Sequence, residues 1–325
     1  MLDLDAVLTK ISSKTRRPGV CRIHSEELNS LHDVYFGING FFTGWEEVKG
    51  SDIDPWGSVG DTPLAWAAGN GHEAVVKTLL GRDDIDPVKP GSGGHTPLLL
   101  AACNGNEGVV EMLLGRDDVD PGKPDEYGQT PLLRAACHGH EGVARILLGR
   151  DGVDPDEPDE DDRAPLMAAA WNGHGGIVEM LLRRDGVNPN KPDVNGETPL
   201  IWAAYNGHEE VVKLLLGRDD IDPDKPDQDG RTPLWWAGGR GKEEIVKMLL
   251  RRDDVNPNKR DMNGETPLTW AAHDGCAEVV KLIHRGGGVV PDGPGEDGRT
   301  PHWWAVSNIH ERVAALLQRP TPTTA

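Results

Sequence analysis

Cysteine is scarce in this sequence: 325 residues contain four, at Cys21, Cys103, Cys137 and Cys276. So few thiols exclude a disulfide framework as the basis of the fold, and a reducing compartment with free thiols is the simplest setting. Long hydrophobic runs are missing as well. No stretch approaches the roughly eighteen consecutive apolar residues of a membrane span, and the opening MLDLDAVLTKISSKTRRPGV has neither the apolar segment nor the cleavage site of a secretory signal. A soluble intracellular protein, of the cytoplasm or the nucleus, is the expectation. Positive charge is short too, with 34 Lys and Arg against 54 Asp and Glu and a net charge of −20. Such a surface repels phosphate backbones and anionic lipid, so neither nucleic acid nor membrane is expected as a partner, whereas a cationic partner is attracted.

Catalytic signatures are equally sparse. The chain has no Gly-x-Ser-x-Gly elbow, P-loop, dinucleotide fingerprint after a strand, or His-Glu-x-x-His helix, so no catalytic residue and no cofactor are assigned. Repeated Arg-Asp-Asp loops place carboxylates close together but never reach the full calcium-loop pattern; they read as solvated acidic loops. His72, His140, His174 and His208 follow glycines at one fixed spacing, too far apart to share a metal, and read as turn-stabilising residues.

What is present is repetition. NGETPLIWAAYNGHEEVVKLLLGRDD, residues 195–220, returns with small changes along the chain. Its Thr-Pro-Leu triplet starts at Thr62, Thr96, Thr130, Thr198, Thr232 and Thr266, with degenerate copies at Ala164 and Thr300. Every interval is a multiple of 34 residues, which gives eight units over about residues 51–319. Residues 1–50 read as a capping segment or worn repeat, and 320–325 as a polar tail.

Within a unit the local chemistry is legible. Thr198 suits an N-cap and Pro199 the first helical position, while Leu200, Ala203 and Ala204 share one face. Asn206-Gly207 ends that helix, since glycine tolerates left-handed backbone. Glu209 and Glu210 favour the positive start of a second helix, whose Val211, Val212, Leu214, Leu215 and Leu216 form an apolar stripe. Pro223 and Pro226 then stop the chain, and Asp229-Gly230 predicts a tight turn or hairpin finger. A single unit leaves a sticky flank on each side, so the units must stack.

The pattern G-x-TPL-x-W-AA-x-x-GH-E-x-VV-x-LLL resembles the ankyrin repeat over about 270 residues. Trp in the first helix and Asp-Pro in the loop are similar to arrays common in filamentous fungi. The resemblance implies an all-α solenoid of helix-turn-helix repeats with β-turn or hairpin fingers. It also implies protein binding through the fingers and the exposed side of the first helices, which together form a concave groove.

Departures between copies point to a site. Trp66, Trp202, Trp236, Trp270 and Trp304 share one position in the first helix, occupied by Leu100, Arg134 and Ala168 in units two to four. The Trp ladder reads as a stacked core element, with a groove for an apolar or cationic ligand as the alternative. Unit four also has Asp162 in place of the turn glycine and Ala164 in place of the capping Thr, which predicts a soft link. Its finger, DPDEPDEDDR, crowds acids around Arg163. Arg134, His138, Asp161, Asp162, Met167, Trp171, Tyr205 and Arg240 are therefore the candidate contacts for a protein or basic peptide partner. Arg134 has an alternative reading as the ion-pair partner of a neighbouring carboxylate. A small-ligand or enzymatic site in the interrupted ladder, and a passive spacer, are the competing functions. His302 and Ile309 mark the eighth unit as a closing one.

Overall fold

The computed structural model describes residues 62–285 and 293–318. The expected capping segment, the polar tail and Cys21 lie outside the described residues. Sixteen α-helices and one 3-10 turn (Ser92–Gly94), and no strand, occur among those described. The first helices of successive units are α1 (Pro63–Gly69), α3 (Pro97–Cys103), α5 (Pro131–His138), α7 (Pro165–Asn172), α9 (Pro199–Asn206), α11 (Pro233–Gly239), α13 (Pro267–His273) and α15 (Pro301–Ser307). The second helices are α2 (Glu73–Leu80), α4 (Glu107–Leu113), α6 (Glu141–Leu148), α8 (Gly175–Leu182), α10 (Glu209–Leu216), α12 (Glu243–Leu250), α14 (Ala277–Arg285) and α16 (Glu311–Leu317). Each first helix packs on its own second helix and on the next first helix, and second helices pack on one another in the same order.

Helices of seven to nine residues are too short to persist alone in water. Caps and stacking hold them. In seven of the eight first helices the Thr hydroxyl accepts the backbone N–H three residues on, as from Ala65 at 3.1 Å, Leu133 at 3.2 Å and Ile201 at 3.3 Å, with Pro at the first position. Ala164 adopts the same extended backbone but offers no hydroxyl, as expected. Ala67, Ala68, Ala101, Ala102, Ala135, Ala136, Ala169, Ala170, Ala203 and Ala204 are fully buried where neighbouring helices meet. In unit six the second Ala becomes Gly238, and a β-carbon there would stand 3.2 Å from the Pro267 carbonyl oxygen.

Two residues other than glycine hold positive φ where the other units have a turn glycine: Asp162 has φ of 60° and Ile309 of 62°. Asp tolerates this region better than most side chains, and β-branched Ile tolerates it poorly. Ile309 is also 81% exposed.

The histidines expected to stabilise turns reach further than their own unit. Nε2 of His140, His174 and His208 donates to the carbonyls of Cys103, Cys137 and Trp171 at 3.0, 3.1 and 2.9 Å, and His310 reaches His273 in the same manner at 2.9 Å. Asn106 takes this place in unit two and donates to Ala68 and Gly69. These side chains are straps between units.

The Arg-Asp-Asp loops are likewise tied rather than free. Arg116, Arg218 and Arg252 each fork onto the second Asp of their loop, at 2.7–2.9 Å. The same guanidinium donates to the last turn of the preceding unit's second helix, through Leu80, Leu182 and Leu216. Lys191 and Lys259 bridge back to Asp156 and Asp224 at 3.1 Å. Carboxylates held by guanidinium forks already have their cation.

Candidate functional site

The fingers set the geometry of the face that they share with the first helices. Asp125, Asp159, Asp193, Asp227 and Asp261 are buried, and one carboxylate oxygen of each accepts two backbone N–H groups of its own finger turn. Successive fingers are linked by single backbone bonds, such as Glu160 N–H to the Tyr127 carbonyl at 3.1 Å and Gln228 N–H to Asn195 at 3.0 Å. The fingers form a row of hydrogen-bonded turns.

The second oxygen of the finger Asp faces the ladder position. Nε1 of Trp236 donates to Asp227 at 3.1 Å, and Nε1 of Trp202 approaches Asp193 at 3.5 Å. In units three and four, which lack Trp at that position, an arginine lies near the finger Asp. Arg134 lies 3.8 Å from Asp125, the alternative reading of that residue. In unit four, with Ala168 at the ladder position, Arg163 grips Asp159 through Nε at 3.0 Å and Nη2 at 2.9 Å. In unit four the interruption of the ladder exchanges an indole N–H for a guanidinium N–H.

From unit four onward the rings are continuous. Trp171 stacks on Trp202 with centroids 3.7 Å apart, and Tyr205 stands edge-on between Trp202 at 5.7 Å and Trp236 at 5.1 Å. Trp235, buried beneath, joins Trp236 to Trp270 at 4.9 and 4.7 Å, and His273 joins Trp270 to Trp304, each at 4.8 Å. Arginines cover this chain: Arg231 lies 5.0 and 5.4 Å from Trp235 and Trp236, Arg240 lies 4.3 Å from the Tyr205 ring and donates to its hydroxyl, and Arg299 lies 4.6 Å from Trp303.

The predicted contacts fall into three groups and one error. Trp171, Tyr205 and Arg240 belong to one surface, joined through Trp202; Trp171 is 39% exposed. Arg134 and His138 form a second group, the His138 ring donating to the Arg134 carbonyl at 2.9 Å. Asp161 and Asp162 are exposed on the unit-four finger, where Arg163 pairs with Asp161 at 2.7 Å. Met167 is the correction. At 1% exposure it belongs to the core, as does the third helical residue of every first helix from α1 to α13; only Trp303 of the eighth unit is exposed there among the described residues. The sequence reading also missed Trp202, Arg163 and Arg231 as surface partners, although the alternation of Trp and Arg against the finger Asp was a visible signal.

Charge is unevenly stored along this face. Burial, then the nearby Asp193 and Asp227 carboxylates, push Glu197 up to about 7. Glu265 is raised for the same reasons, burial first and then Asp261 and Asp297. Burial also raises the Cys103 and Cys276 thiols, which keeps both sulfurs in the poorly nucleophilic thiol form. Cys103, Cys137 and Cys276 are free. Among the described residues no three His, Cys, Asp or Glu side chains converge as a metal site, and no helix is long and apolar enough to cross a membrane.

Two concavities have distinct chemistry. An open cleft of about 820 Å³ lies along the ends of α8 and α10, lined by Arg183, Arg184, Asp185, Lys213, Arg218 and Asp220 among others, with no aromatic ring in its lining. A smaller cavity of about 230 Å³ opens beside the aromatic chain, between Arg231, Trp235, Trp236, Gly239, Arg240, Trp270 and Asp274.

A sequence profile of ankyrin repeats, three copies long, matches residues 46–125, 117–193, 166–261 and 241–323. No curated protein matches the chain.

Proposed function

The chain belongs to the ankyrin repeat family, whose repeats are in general protein–protein interaction modules, and from that premise we propose that it is a scaffold that binds a basic segment of a protein partner along the fingers and first helices. The observation that carries this reading is the Trp171–Trp202–Tyr205–Arg240 surface, taken together with the exposed acids of the unit-four finger. Half-exposed aromatic rings held rigid by their neighbours supply contact area at low entropic cost, the character of interface anchors. Glu160 and Asp162 stand outside the Arg163 ion pairs, so their charge is available to a cationic partner. Arg134 and His138, the second group, supply contacts in unit three. The net charge of −20 adds long-range steering. The cytoplasm or nucleus is the proposed compartment.

Selection from a random peptide library tests this. Enrichment of Lys- and Arg-rich sequences is expected, with binding that weakens as salt rises and falls at least about tenfold in Trp171→Ala, the loss of a typical interface anchor. Selected peptides without basic enrichment, or full binding by Trp171→Ala, would remove the reading.

A further inference from the structure

The aromatic chain has one rung missing, and the repeat itself shows what belongs there. The position seven residues after the capping Thr holds Tyr205 in unit five and His273 in unit seven, each with its ring between two ladder tryptophans. In unit six that position is Gly239, between Trp236 and Trp270. Trp235 closes the gap from below, through its contacts with both flanking indoles, and the outer part is the cavity of about 230 Å³. An apolar cavity of about 150 Å³ suffices for benzene, whereas small-molecule pockets usually start near 300 Å³. The space therefore suits one ring-bearing side chain.

We propose that this cavity receives a tyrosine side chain of the protein partner, its ring taking the place between Trp236 and Trp270 that Tyr205 takes one unit earlier. The proposal rests on the reading of the chain as a protein-binding scaffold and names one anchor of that partner. Two observations select a phenol. Arg231 and Arg240 line the cavity against the single carboxylate of Asp274, so a guanidinium or ammonium entering it meets two like charges for one opposite charge even on an otherwise acidic protein. Asp274 stands where Arg240 stands one unit earlier, and Arg240 bonds the Tyr205 hydroxyl; a carboxylate in that place accepts from a phenol O–H. A neutral ring with one donor at its tip satisfies both conditions.

The internal equivalence also supplies the test. A β-carbon on Gly239 meets only ordinary contacts, 3.6 Å to the Trp270 β-carbon and 3.8 Å to Asp274 Oδ2, so Gly239→Tyr can fill the cavity from within. The full chain is labelled with 15N and its Trp indole N–H signals are followed during titration with N-acetyl-tyrosinamide or N-acetyl-argininamide. Saturable shifts confined to Trp236, Trp270 and Trp235 are expected with the tyrosine probe, absent with the arginine probe and absent in Gly239→Tyr. Asp274→Asn, which keeps the shape, is expected to weaken the tyrosine probe by about tenfold, the scale of exchanging a charged acceptor for a neutral one. No saturable shift, an equal response to the arginine probe, shifts that persist in a folded Gly239→Tyr, or an unchanged affinity in Asp274→Asn would each overturn the proposal. Peptide selection reads the basic-segment scaffold separately, so a failed cavity leaves that result standing.

Discussion

Ala164→Thr should stabilise the fourth unit, and the structure sets how much. Ala164 has φ −81° and ψ 162°, against −81° and 159° for Thr130, whose hydroxyl accepts from Leu133 at 3.2 Å. The backbone of unit four is thus already posed for a cap that it lacks, and no rearrangement offsets the gain. Room is not limiting either, because Thr130 and Thr198 at the equivalent places are buried without strain. An N-cap hydroxyl is worth about 1 kcal/mol, so Ala164→Thr should raise the unfolding free energy by about that amount and the Tm of a cooperative block of repeats by about 2–4 °C. Asp162→Gly should add a smaller increment, since it relieves a positive φ of 60° but releases chain entropy in the unfolded state. The reciprocal change, Thr198→Ala, should cost unit five about the same 1 kcal/mol. The decisive assay is amide hydrogen exchange, with slower exchange in α7 of Ala164→Thr and little change in α15, because each unit is coupled chiefly to its neighbours. A destabilised Ala164→Thr, or protection spread evenly over all units, would refute the cap as the source of softness.

Three further outcomes follow from the same geometry. Glu197 ionises near pH 7 when folded and near 4.5 when unfolded, so the folded state holds the extra proton and stability falls as pH rises between those values; Glu197→Gln should raise Tm at pH 8, with the gain shrinking towards pH 5, as read by thermal denaturation across pH. His174→Ala removes the strap from unit four to the Cys137 carbonyl and should cost about 1–2 kcal/mol in urea unfolding, whereas His174→Asn should keep most of it, as Asn106 does between units one and two. Met167→Ala should cost about 2–5 kcal/mol in the same assay while the folded variant binds selected peptides at wild-type affinity, since the side chain is in the core.

The repeat, its caps and its turns were legible in the one-dimensional chain because they depend on residues a few positions apart: Thr198 with Ile201, Asp227 with Asp229 and Arg231, glycine where the backbone turns left-handed. The exceptions were legible for the same reason, as Ala164 and Asp162 show. Other relations join residues 31 to 38 positions apart and exist only once the units are stacked. His208 finds the Trp171 carbonyl, Arg240 finds the Tyr205 hydroxyl, and Gly239 becomes a cavity only because Trp270 of the next unit forms its other wall. Which donor answers Asp159, Asp193 and Asp227, and the burial of Met167, were decided there as well. Local hydrogen bonding wrote the sequence of each unit, whereas the space between units belongs to two copies at once and is written in neither.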